Sequence, residues 1–241
     1  MIFSLLIRQL ARPAIATSIM AVLTILPIST PAAASTLQGQ HSASPPAAFH
    51  DFCRRFPAEC RPANSHMNAM PMTSRNWQTL QAVNRQVNAE IREVSDRVNH
   101  GREDFWTLPM NGAGDCEDIA LLKRHRLIQQ GWPSSVLLMT VVRDRRGRGH
   151  AVLAAQTDRG TLILDNRTNA IRHWSDTGYT FYLIQSSRSP RQWQSINKRP
   201  TNPVTAAGEH RSRGSSRVAT TIQPTSSASL FQSRFGARSL R

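Results

Sequence analysis

Two amphipathic helices, followed by four short apolar strands on tight connections, predict an α+β fold with helices packed on an antiparallel sheet. The first helix is "WQTLQAVNRQVNAEIREV", which sets Trp77, Leu80, Val83, Val87, Ile91 and Val94 at helical spacing with polar residues between them. Thr73 and Ser74 precede it as candidate caps. Asn84 and Asn88 lie one turn apart beside the apolar stripe, where they can bond a neighbouring loop. The second helix starts at Asp115 or Cys116. Its apolar side is Ile119, Ala120, Leu122, Leu127 and Ile128, and Gly131, Trp132 and Pro133 end it. The strands are "SSVLLMTVVRD", "HAVLAAQT", "TLILDNRT" and "YTFYLIQSS". A turn rich in Gly and Arg, Arg145 to Gly149, joins the first pair, and Asp158, Arg159 and Gly160 lie between the second and third. Apolar residues on both strand faces predict a sheet covered on both sides.

The flanks differ in composition from this centre. Arg8 and Arg12 precede the apolar stretch "PAIATSIMAVLTILPI", which ends at "STPAAAS" with the small residues Ala32 and Ala34. That is the pattern of a signal peptide cleaved after Ala34. An uncleaved anchor fits less well, because the apolar run falls short of the roughly 20 residues of a spanning helix and contains Pro27. The mature protein is therefore expected in a bacterial periplasm, with no stable membrane insertion after cleavage. Residues 35–48, rich in Ser, Ala, Pro and Gln, read as a flexible lead-in. Beyond about Pro190 the chain has too few apolar residues to build a core.

Charge sharpens that division. The 241 residues carry a formal +15, from 30 Lys and Arg against 15 Asp and Glu. From Ser186 onward there are ten basic residues and a single acid, Glu209. The centre, 35–185, carries 18 basic and 14 acidic residues and is only mildly basic. A tail of this kind can attract nucleic acid, anionic lipid or acidic polysaccharide, but a solvated disordered tail accounts for it more simply, and a nucleic-acid partner is not expected.

Export changes how the three cysteines are read. Cys53 and Cys60 in "DFCRRFPAEC" are separated by six residues that include Pro57, enough for a turn that closes a disulfide in an oxidising compartment. Cys116 is then left over, and two readings stand beside each other: a reactive thiol and a buried structural cysteine. Its setting, "NGAGDC", places the sulfur at the first turn of a helix, where unpaired backbone N–H groups favour a thiolate and can face a developing oxyanion. Asp115 is a natural N-cap.

A thiol nucleophile needs a base, and the base needs an orienting group. Of the eight histidines, His150 stands out because it opens an apolar strand directly after a glycine. Asp165 sits near the end of the next strand. A four-residue loop from Gln156 to Arg159 would set Ala155 opposite Gly160 and His150 opposite Asp165, on one face. A one-residue slip would separate them.

The stretches "GAGDCEDIALLK", "GHAVLAA" and "LILDN" resemble the bacterial transglutaminase-like cysteine proteinases, whose type member is the LapG-type periplasmic protease that trims biofilm adhesins. "FCRRFPAEC", "WQTLQAVNRQVNAEI" and "EDFWTLP" extend the likeness from about Phe49 to Trp193. The resemblance implies a papain-like, transglutaminase-core fold with Cys116 as nucleophile, His150 as general base and acid, and Asp165 as orienting carboxylate. Trp106 is implied as a candidate for oxyanion support. No cofactor is required for the chemistry, but the resemblance implies calcium, with Asp115, Glu117 and Asp118 as its ligands; the same acids suit the helix dipole equally well. The implied division is a signal peptide over 1–34, a lead-in over 35–48, a peptidase domain over 49–193 and a basic tail over 194–241. The implied partners are a protein substrate, a large surface adhesin among them, and a membrane-bound regulator. The Arg-rich turn "RDRRGRG" departs from the family's surface and puts the adhesin in doubt. Acyl transfer to an amine would use the same three residues, and a non-catalytic basic binding module is the third reading.

Overall fold

The computed structural model describes residues 35–197. The expected signal peptide and nearly all of the expected basic tail lie outside the described residues.

In chain order the elements are β1 (His41–Ala43), α1 (Ala47–Arg55), α2 (Ser74–Glu90), β2 (Arg92–Glu93), α3 (Asp96–His100), β3 (Ala113–Gly114) and α4 (Cys116–Gln129). Then come β4 (Leu137–Arg143), β5 (Gly149–Thr157), β6 (Gly160–Asp165), β7 (Thr168–His173), β8 (Thr180–Gln185) and β9 (Trp193–Ser195). Seven strands form one sheet in the order β1-β9-β8-β4-β5-β6-β7, with every neighbouring pair antiparallel. The α+β expectation holds.

The sheet is covered on both faces. Ala151, Leu153, Ala155 and Leu164 point into a core shared with α1, α2 and α4. Val152, Ala154 and Ile163, of opposite parity, join Leu37, Phe181 and Ile184 in a smaller cluster on the other face. Leu37 is part of residues 35–48, which are not the flexible lead-in the sequence suggested. Their chain is pinned: β1 pairs with β9, Leu37 N–H donates to Thr161 Oγ1 at 2.7 Å, and Gln156 Nε2 donates to Leu37 O at 2.9 Å. The packed region also runs past Pro190, because Trp193 is buried among Phe49 and Trp106.

Helix α2 begins where the caps predicted, with Thr73 Oγ1 accepting from Asn76 N–H, but it stops before Val94. Helix α4 differs from an amphipathic surface helix. Leu121, Lys123 and Arg124 are buried together with Ile119 and Leu127, because α4 is enclosed by α2, the sheet and the turn that carries Glu59. Its start is tightly packed. A Cβ on Gly114 would lie 2.7 Å from Asp118 Cβ, so only glycine lets that backbone approach.

Candidate active site

Helix α4 presents Cys116 at its first turn, half-buried and outside the disulfide. The sulfur meets strand β5, where the Ala151 backbone N–H donates to it. His150 is the residue immediately before. The thiol itself donates to Glu117 Oε2 at 3.0 Å. A helix end by itself would lower the thiol, and its surroundings here reverse that. Burial first, then the charges of Glu117 and Asp115, push the Cys116 thiol well up. Loss of solvent around the sulfur, reinforced by the two carboxylates, outweighs the half-charge of a helix end.

His150 and Asp165 are brought together. His150 Nε2 lies 2.9 Å from Asp165 Oδ1, and both side chains are buried. The register differs from expectation by two residues. Thr157 pairs with Gly160 and Leu153 with Leu164, so the connection is the two-residue turn Asp158–Arg159, and Ala155 faces Leu162. A shift of two leaves each side chain on its own face, so His150 reaches Asp165 diagonally.

The carboxylate is held from several sides. Tyr179 Oη donates to Asp165 Oδ2 at 2.6 Å, and the Arg167 backbone N–H donates to Oδ1 at 3.1 Å. The Tyr179 ring also meets the His150 ring edge-on, with centroids 5.6 Å apart. Burial alone would raise the Asp165 carboxyl, but the hydrogen bond and charge of His150, with Tyr179 and Arg167, hold it at about 2. From α2, Asn88 Nδ2 donates to Asp165 O at 3.0 Å and Asn169 Oδ1 at 2.9 Å, while Asn84 Nδ2 reaches Thr168 O and Asn169 O. The asparagine pair therefore anchors the loop that carries Asp165, as its spacing suggested. Lys123, buried on α4, faces the same carboxylate electrostatically; burial lowers its ammonium to about 7 against the pull of Asp165. His150 Nδ1 is buried with no hydrogen bond of its own.

Around the start of α4 lies an acidic cluster. Asp115 occupies the N-cap position, but its side chain makes no cap bond and its Oδ2 accepts from Asp96 N–H at 3.3 Å instead. Asp118 Oδ1 accepts from Thr107 N–H at 2.7 Å, and Asp96 Oδ2 from Phe105 N–H. The other oxygens, Asp96 Oδ1, Asp115 Oδ1, Glu117 Oε1 and Asp118 Oδ2, are buried without partners. Burial, then the charge of Asp115, raises the Asp96 carboxyl to about 7. Burial, opposed by the Thr107 amide and reinforced by Asp115 and Asp96, raises Asp118 to about 8. Ligand atoms of Asp96, Asp104 and Glu117 lie within 4.8 Å of one another, as do those of Asp115, Cys116 and Glu117.

The family model for bacterial transglutaminase-like cysteine proteinases matches residues 39–201. The chain belongs to that family. It is a cysteine peptidase. Among solved structures it is similar to Legionella pneumophila LapG in a calcium-bound form, at 25% identity, 51% of this chain, 70% of that chain and a TM-score of 0.44. It is also similar to LapG from the same organism after EGTA treatment, at 27% identity, covering 45% of this chain and 62% of that one, TM-score 0.41. Comparison with curated proteins gave no match.

In this cysteine peptidase, Cys53 and Cys60 form the expected disulfide. Trp106 does not take the expected oxyanion role. It is fully buried against Phe49 and Trp193, and its indole N–H donates to Asp104 Oδ1 at 3.0 Å. Asp96 and Tyr179 carry no signal in the sequence because chain distance separates them from Phe105 and Asp165, which they touch. The short spacing in "EDFW" could have drawn notice to Asp104. Among the described residues no helix is long and apolar enough to cross a membrane.

Proposed function

We propose that the protein is an exported peptidase that cleaves a protein substrate through a Cys116–His150–Asp165 triad. The observation that carries the reading is the buried His150–Asp165 hydrogen bond, with the Cys116 sulfur seated on the adjoining Ala151 N–H. His150 takes the thiol proton, and the thiolate attacks the scissile carbonyl carbon. The backbone N–H groups at the start of α4 face the oxyanion that develops. Protonated His150 then gives its proton to the leaving amine, leaving a thioester on Cys116. A water molecule, deprotonated by His150, hydrolyses the thioester and restores the thiol. Asp165 stays ionised throughout and holds the imidazole in one tautomer and one orientation.

Four unpartnered buried carboxylate oxygens suit a hard divalent cation, and calcium takes such ligands. Asp115, Glu117 and Asp118 would hold it, with Asp96 from the start of α3 and Asp104 from the loop after it. A calcium ion held there would neutralise acids that oppose the thiolate. A large surface adhesin is the substrate class the family suggests, and a membrane-bound regulator fits the same setting.

Iodoacetamide labelling tests the triad without a substrate. Because burial and the acids beside Cys116 raise its thiol, the expected result is rapid alkylation near neutral pH with calcium present, slowed by EGTA and lost in His150→Ala. Cys116→Ser is expected to abolish cleavage and leave the circular dichroism spectrum unchanged. Proteolysis retained in that variant would remove the proposal, and crosslinked rather than cleaved product would identify an acyl transferase.

A further inference from the structure

The Arg-rich turn between β4 and β5 folds beside the His150–Asp165 pair. Asp144 organises it, with Oδ1 accepting from the backbone N–H groups of Arg146 and Arg148 at 2.9 and 3.0 Å. Its Oδ2 serves two guanidiniums, Arg148 Nε at 2.9 Å and Arg167 Nη1 at 3.1 Å. Arg145 lies against Gly178, since a Cβ on that glycine would come within 2.5 Å of Arg145 Nε. Arg172, exposed on β7, pairs with no carboxylate among the described residues.

Two of these guanidiniums, Arg167 and Arg172, line a cavity of about 220 Å³ together with Ile163, Asp165, Ala170 and Tyr179. The Asp165 charge does not make it acidic, because Oδ1 is taken by His150 and the Arg167 N–H and Oδ2 by the Tyr179 hydroxyl. One carboxylate, Asp144, is shared between Arg148 and Arg167, which leaves Arg172 as surplus positive charge in the lining. Ile163 and Ala170 offer apolar wall that suits methylene groups, while guanidinium geometry suits a carboxylate.

We propose that this cavity is a subsite for an acidic side chain of the protein substrate, with Arg172 and Arg167 reading its carboxylate. The proposal rests on the triad reading, since the cavity shares Asp165 with the triad and would fix the acidic residue at a set distance from the scissile bond. It gives the Arg-rich turn a positioning role in specificity, because its Asp144 holds the Arg167 guanidinium.

The test uses a proteome-derived peptide library in which each Asp or Glu peptide is paired with its Asn or Gln form. Retention is measured on immobilised Cys116→Ala protein, and cleavage with the wild type. The acidic forms are expected to be retained about tenfold or more over the amide forms, and Arg172→Glu in the Cys116→Ala background is expected to abolish or reverse that preference. Cleavage by the wild type is expected to place the acid at one fixed position. Equal retention of acidic and amide forms, or a preference untouched by Arg172→Glu, overturns the subsite even if peptides are cleaved. Acid-selective retention with no peptide cleaved supports the subsite and counts against the triad.

Discussion

Replacing Tyr179 with phenylalanine removes one oxygen and keeps the ring that meets His150. The lost bond is the 2.6 Å donation to Asp165 Oδ2, while His150 and the Arg167 amide remain on Oδ1. A hydrogen bond to a charged group is worth about 1.5–3 kcal/mol, and the half-buried position of Tyr179 admits water, which favours the low end. If that energy orients Asp165 in the transition state, roughly 1.5–2 kcal/mol corresponds to a loss of about 10–30-fold in rate. This is far below the roughly 10⁴-fold cost of disabling a triad carboxylate. Asp165 stays ionised near neutrality, so the loss is one of orientation rather than of charge. The assay is the second-order alkylation rate of Cys116 by iodoacetamide as a function of pH, with kcat and KM once a peptide substrate is in hand. Tyr179→Phe should slow alkylation about tenfold at pH 7 and lower kcat with KM unchanged. A pH–rate profile that superimposes on the wild type would refute the argument that Tyr179 positions Asp165.

Asp165 also shapes acid stability. Its carboxyl is held at about 2, against 3.8 for the ordinary group. It therefore contributes on the order of 2 kcal/mol that is present above pH ~4 and lost as pH falls toward 2; urea titrations of Asp165→Asn should lack that pH-dependent increment, and an unchanged slope would contradict it. Calcium added to EGTA-treated protein at about a hundred times its Kd should stabilise by about 2.7 kcal/mol, read as a rise in Tm that Asp118→Asn diminishes; no shift on calcium addition would dismiss the acidic cluster as a cation site. Replacing Cys53 and Cys60 together with alanine opens a short loop worth about 2.5 kcal/mol by chain entropy. The expected Tm loss relative to the oxidised wild type is about 5–10 °C, and a variant Tm equal to that of the oxidised, unreduced wild type would show that the bridge adds nothing.

What the sequence determined by itself were local features. Period and turn chemistry found α2, α4 and the strands β4, β5, β6 and β8, because those signals lie within a few residues of one another. A disulfide between cysteines seven positions apart was readable for the same reason. His150 and Asp165 were legible as a pair despite a mistaken loop, since a two-residue change of register preserves the face.

Tertiary structure decided what depends on residues distant in the chain. Strand β1 was invisible because its polar residues acquire order only by pairing with β9, and β7 because an edge strand beside α2 has no clear alternation. The acidic cluster draws Asp96 of α3 and Asp104 of the following loop onto α4, and it is the burial of that helix start, beside Glu117 and Asp115, that raises the thiol rather than lowering it. Electrostatic energy and buried hydrogen bonds depend on distance through space, and a linear sequence records that distance only where the chain is short.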